Sequence, residues 1–120
     1  MCSQKSVVFF RYTVHLKGGN VMQFLITAYD GREEGHLARR MAVRPQHLEN
    51  MRKLQAAGNV KTAGGILDEN GELAGSFLVM EFESREKLDG YLREEPYVQA
   101  GVWKDIRIET CHVVIGAGSC

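Results

Sequence analysis

Apolar and polar positions alternate from residue 7 to residue 16. Val8, Phe10, Tyr12, Val14 and Leu16 fall on one side of an extended chain, with Val7, Phe9, Arg11, Thr13 and His15 on the other. A period of two with β-branched and aromatic residues predicts a strand. Gly18-Gly19-Asn20 breaks it, and a second β-type run opens at residues 21–27. A compact domain would start naturally at Met22. Residues 1–21 are therefore expected to be an N-terminal extension that adds an edge strand or lies against a partner chain, because a strand this apolar is not left exposed.

After Asp30-Gly31 the period changes. Leu37 and Met41 stand four apart in residues 35–43 and predict a short helix, which Arg44-Pro45 punctuates. Proline suits a first helical position, so a second helix is expected to start at Pro45, with Leu48, Met51 and Leu54 as its apolar stripe and Gly58 as its left-handed end. Residues 60–67 and 75–83 read as strands joined at Asn70-Gly71, a strong hairpin signal. Leu78, Met80 and Phe82 share one face of the second of these strands, and Phe77 and Val79 the other. Ser84 is a good N-cap for a helix over residues 85–93, with Leu88, Tyr91 and Leu92 facing inwards, and Glu95-Pro96 stops it. A loop is then expected to lead to a last strand over residues 105–115, and residues 116–120 are expected to form a flexible tail.

From Met22 to residue 115 the order is β, α in two pieces, β, β, α, β. Two βαβ crossovers joined by a hairpin give a ferredoxin-like α+β sandwich, a four-stranded antiparallel sheet with the helices on one face. The other face carries residues such as Val79 or Met80 and needs a cover, which a second copy of the chain would provide.

Composition adds limits. The 120 residues hold one domain, and 44% apolar with 25% charged residues is ordinary for a globular chain. Cys2, Cys111 and Cys120 form no disulfide framework or zinc ribbon, and no apolar run is long enough for a signal peptide or a membrane span, so a cytoplasmic location is expected. Net charge is zero, yet residues 32–53 carry six cations against three anions, and residues 68–95 carry nine anions against three cations. That asymmetry fits a cationic pocket for a small anion, complementary surfaces in an oligomer, or two solvated helix faces. Basic residues interleaved with acids, without aromatic platforms, argue against nucleic acid. The histidines lack metal-ligand spacing, so no metal is expected.

Three residues are candidates for chemistry. His47 stands at the border of the helical stripe, either as a core-edge histidine or as a partly dehydrated general acid or base. Asp30 ends an apolar strand, either as a ligand contact or as a turn carboxylate. Arg44 can grip a carboxylate or phosphate, or pair with a local acid.

Asp30, residues 38–48 (Ala-Arg-Arg-Met-Ala-Val-Arg-Pro-Gln-His-Leu), Gly58 with Thr62-Ala63-Gly64, Gly75-Ser76, Glu83-Ser84 and residues 96–102 (Pro-Tyr-Val-Gln-Ala-Gly-Val) together resemble the YciI-like (YCII-related) family. The resemblance implies a fold of the dimeric α+β-barrel type, similar to muconolactone isomerase, with a His/Asp-centred cleft; some members resemble lyases that eliminate chloride from aromatic substrates. Carried over by position, the histidine is His47, the acid Asp30 and the arginine Arg44. The chain departs from the family where Glu95-Pro96-Tyr97 replaces the common Asp-Pro-Tyr and Gly64-Gly65 replaces Gly-Pro.

On this basis Asp30 is expected to orient His47, which shuttles a proton in an isomerisation or elimination without a cofactor. Arg44 would hold a substrate oxygen, the Gly64-Gly65 backbone would admit a small anionic substrate, and Glu95 and Tyr97 would contact it. The competing class is a non-catalytic homodimeric module that binds a metabolite or a protein in the same cleft.

Overall fold

The computed structural model describes residues 21–116. The expected strand at residues 7–16 and tail residues 117–120 lie outside them. In chain order the elements are β1 (Met22–Asp30), α1 (His36–Ala56), β2 (Val60–Leu67), β3 (Leu73–Phe82), α2 (Arg85–Glu94), a one-turn α3 (Pro96–Gln99) and β4 (Trp103–Cys111). The sheet order is β2-β3-β1-β4, with every neighbouring pair antiparallel. This is the ferredoxin-like arrangement that the element order predicts.

Alternation sorts the two faces. Phe24, Ile26 and Ala28 of β1 pair with Met80, Leu78 and Ser76 of β3 and, for the last two, with Ile108 and Ile106 of β4. Together with Met51 of α1, Leu88 and Tyr91 of α2, and Tyr97 of α3, the apolar members of this face make the core. On the opposite face Leu25 pairs with Val79 and Thr27 with Phe77, and all four are only half-buried. Of the two residues expected on that open face, Val79 is there and Met80 is not. Gly64 is opposite Phe77, and a Cβ on Gly64 would come within 2.6 Å of the Phe77 ring. The ring occupies the space that a side chain would need.

Local signals set several boundaries as expected. Asp68 accepts from the backbone N–H groups of Asn70 and Glu72 at 2.8 and 3.0 Å, and Gly71 takes φ +79° between them, which fixes the β2–β3 turn. The Ser84 hydroxyl accepts from the Lys87 N–H at 3.2 Å and caps α2. Gly58, at φ +91°, ends α1. The N–H groups of Asn59 and Gly58 donate to the carbonyls of Leu54 and Gln55 at 2.8 and 3.0 Å, a Schellman closure.

The largest correction is α1, one helix of 21 residues rather than two pieces, with Pro45 in its interior. Proline there removes a hydrogen bond to Met41 and costs about 3 kcal/mol in an isolated helix. Met41 and Pro45 both lie on the exposed side, where water can serve the carbonyl. The opposite side carries Arg40, Val43, His47, Met51 and Leu54 to the sheet on both sides of the proline, and this packing holds the axis continuous. Leu48 is half-buried, whereas His47 is buried. Two further differences are smaller: residues 96–99 form a turn of helix instead of loop, and β4 starts at Trp103 and ends at Cys111, before Val113.

Candidate active site

The site is built at the sheet end where β1 finishes and β3 and β4 begin, beneath the middle of α1. Asp30 is the last residue of β1 and Arg40 is on the first part of α1. Arg40 Nη1 donates to both Asp30 carboxylate oxygens at 2.9 and 3.0 Å. Its Nη2 donates to the Ser76 hydroxyl at 2.8 Å, and the Trp103 indole N–H donates to the same oxygen at 3.2 Å. Both charged groups are almost wholly buried, so this pair fixes the guanidinium in one orientation.

His47 is seven residues along α1 from Arg40, two helical turns on the same face. Its imidazole stacks on Tyr97, with ring centres 4.1 Å apart and planes 18° apart, and meets the edge of Trp103 at 5.9 Å. Its partner is Glu95, not Asp30: Nδ1 lies 2.6 Å from Glu95 Oε2. The expectation that Asp30 orients the ring is thereby corrected, because both Asp30 oxygens are taken by Arg40.

Glu95 is fully buried and carries three donors. Besides His47, the Tyr97 N–H donates to Oε2 at 3.0 Å and the Tyr91 hydroxyl donates to Oε1. A carboxylate with a backbone N–H and a hydroxyl already pointing at it is the acceptor, so Nδ1 of His47 is the donor. The neutral ring then has its lone pair on Nε2, which takes part in no protein hydrogen bond among the described residues. A histidine oriented through one nitrogen by a buried carboxylate, with the other nitrogen left over, is the arrangement of a general acid or base.

The other predicted site residues divide. Arg44 is half-buried on the same helix face, one turn before His47, and its charge lowers the pKa of the Tyr97 hydroxyl. Tyr97 belongs to the cluster. Gly64 and Gly65 do not come to it: a Cβ at Gly64 would meet Phe77, and one at Gly65 would meet Leu73. Arg40, Ser76, Trp103 and Tyr91 are not among the site residues expected from the sequence. The signal for Arg40 was its heptad spacing to His47, hidden once Pro45 is taken as a helix start.

Burial raises the pKa of both tyrosines. The Glu95 carboxylate pushes Tyr91 up further, and Arg40 and Arg44 partly offset the rise at Tyr97. In the unfolded chain a tyrosine ionises near about pH 10. Above that pH the unfolded state binds fewer protons than the folded one, so stability falls as pH rises, by up to about 1.4 kcal/mol per pH unit for each tyrosine. Urea unfolding between about pH 9 and 11 is expected to show this fall, made shallower by Tyr91→Phe. An unchanged slope in the variant would mean that Tyr91 ionises freely in the folded protein.

Among the described residues no group of three or more His, Cys, Asp or Glu side chains is placed to hold a metal ion. No described helix is long and apolar enough to cross a membrane.

Fold and site define a small α+β protein with a buried, carboxylate-held histidine. Residues 22–111 match the model of the YCII-related domain, and the chain belongs to that family. It is 34% identical to Protein YciI of Escherichia coli O6:H1 over 94 residues, which cover 73% of this chain and 94% of that one. It is 38% identical to an uncharacterized protein of Haemophilus influenzae over 79 residues, or 61% of this chain and 81% of that one. Among solved structures it is similar to the 5-chloro-2-hydroxyhydroquinone dehydrochlorinase of Burkholderia phenoliruptrix in complex with 2,5-dihydroxybenzoquinone. The TM-score is 0.64 with 28% identity, over 73% of this chain and 91% of that chain.

Proposed function

We propose that the protein is a small-molecule enzyme that performs acid–base chemistry without a cofactor, of the dehydrohalogenase type, on a small anionic substrate. The observation that carries this reading is the 2.6 Å contact between His47 Nδ1 and the buried Glu95 carboxylate, which leaves Nε2 for a substrate. The similarity to a dehydrochlorinase at 28% identity supports the reaction class.

On a chlorinated trihydroxybenzene, Nε2 would take a proton from one hydroxyl and return it to the ring carbon that bears chlorine. Chloride then leaves with the C–Cl electron pair as a second hydroxyl proton is lost, so the ring ends as a quinone. The sum is loss of HCl, with no outside oxidant. Glu95 stabilises the imidazolium formed between the two transfers, and the cationic Arg44 attracts the anionic ring.

The test is chloride release from 5-chloro-2-hydroxyhydroquinone by the purified protein. Release well above the uncatalysed rate is expected; release at the uncatalysed rate would sink the dehydrohalogenase assignment. We infer also that two copies pair through the open sheet face of Leu25, Phe77 and Val79, since half-buried apolar side chains on an uncovered sheet favour association. Sedimentation is expected to give twice the chain mass, and Val79→Asp to give single chains. A wild-type chain that sediments alone would contradict the pairing.

A further inference from the structure

Two donors in the buried cluster have no protein partner among the described residues: the Tyr97 hydroxyl and the Arg40 Nε–H. Buried donors are nearly always paired, because water that served them in the unfolded chain is lost. Neither can turn away. Arg40 is clamped through its other nitrogens by Asp30 and Ser76, and the Tyr97 ring is held against His47 and Trp103. The two side chains are also neighbours, with the guanidinium over the Tyr97 ring and Arg40 Cζ 4.7 Å from its centre.

We propose that Tyr97 and Arg40 form an oxyanion-binding pair beside His47, which takes a phenolate or enolate oxygen of the substrate between the Tyr97 hydroxyl and the Arg40 Nε–H. Two donors held on one oxygen would favour its charged form. Arg40 and Arg44 both act on the Tyr97 hydroxyl, each more strongly than the carboxylates of Asp30 and Glu95, which act in the opposite sense. Asp30 is itself paired with Arg40 through two bonds. The hydroxyl itself stays protonated and able to donate, because burial raises its pKa. In the proposed reaction this pair would hold the oxygen that becomes anionic when His47 removes its proton. The inference rests on the acid–base reading of the same site, yet it makes a claim about binding that needs no turnover.

The probe is 4-nitrophenolate, titrated by calorimetry at a pH where it is ionised, with 4-nitroanisole as the control that lacks the charged oxygen. Wild-type protein is expected to bind the phenolate and not the anisole. Tyr97→Phe, which removes one oxygen, is expected to weaken phenolate binding about tenfold. On saturation of the wild type, the Arg40 Nε–H resonance in a 1H–15N spectrum should move downfield, a readout that stands even if the variant fails to fold. Equal affinity in Tyr97→Phe, equal binding of the anisole, an unmoved Arg40 resonance, or no binding would each overturn the pair. Phenolate binding with no chloride release would instead overturn the catalytic reading and leave the pair in place.

Discussion

His47→Gln will lower kcat for chloride release by about 10²- to 10⁴-fold, the range that a positioned acid–base group supplies, with little change in KM. Glutamine is close to imidazole in reach and keeps a polar amide beside the buried Glu95 carboxylate, so the fold should survive. What the substitution removes is the basic nitrogen. Thermal unfolding of the same variant separates loss of chemistry from loss of structure. A variant with wild-type turnover would remove His47 from the reaction.

Asp30→Ala will destabilise the protein by about 3–5 kcal/mol, the usual result of stripping the partner from a buried charge. Arg40 cannot escape to water: both groups are almost fully buried and joined by two bonds. Domains of this size are stable by about 5–15 kcal/mol, so the loss takes up a large share and should be plain in urea unfolding. Replacing both partners, Asp30→Leu with Arg40→Met, should recover much of it, since two apolar groups leave no charge stranded. A loss below about 1 kcal/mol for the single variant would mean that the pair behaves like an exposed one.

What could be read from the sequence was what neighbouring residues decide. The turn at Asn70-Gly71, the Ser84 cap and the Gly58 terminus each depend on a few adjacent groups, and each stands where the residue pattern places it. The element order then gave the topology. Pro45 misled because its local preference, the start of a helix, is overridden by packing on both sides of it. The inner face of α1 was hidden for a related reason: it carries Arg40 and His47 as well as Val43 and Met51, so no apolar stripe marks it.

The site was legible by residue and illegible by pairing. His47, Asp30, Glu95 and Tyr97 were all named, but His47 and Glu95 are 48 positions apart and Arg40 and Ser76 are 36 apart. Such pairs are created by the crossovers, and nothing in local spacing joins them. The two oxygens of Glu95 serve His47 and Tyr91 at once, a use that appears only when α2 and α1 are brought together.

The most direct test of the central claim is the position of the imidazole proton of His47 when the ring is neutral, read by long-range 1H–15N correlation. The account predicts the proton on Nδ1, in its hydrogen bond to Glu95, with Nε2 as the pyridine-type nitrogen. In Glu95→Gln this preference should weaken. A proton found on Nε2 in the wild-type protein would contradict the assignment of that nitrogen as the base.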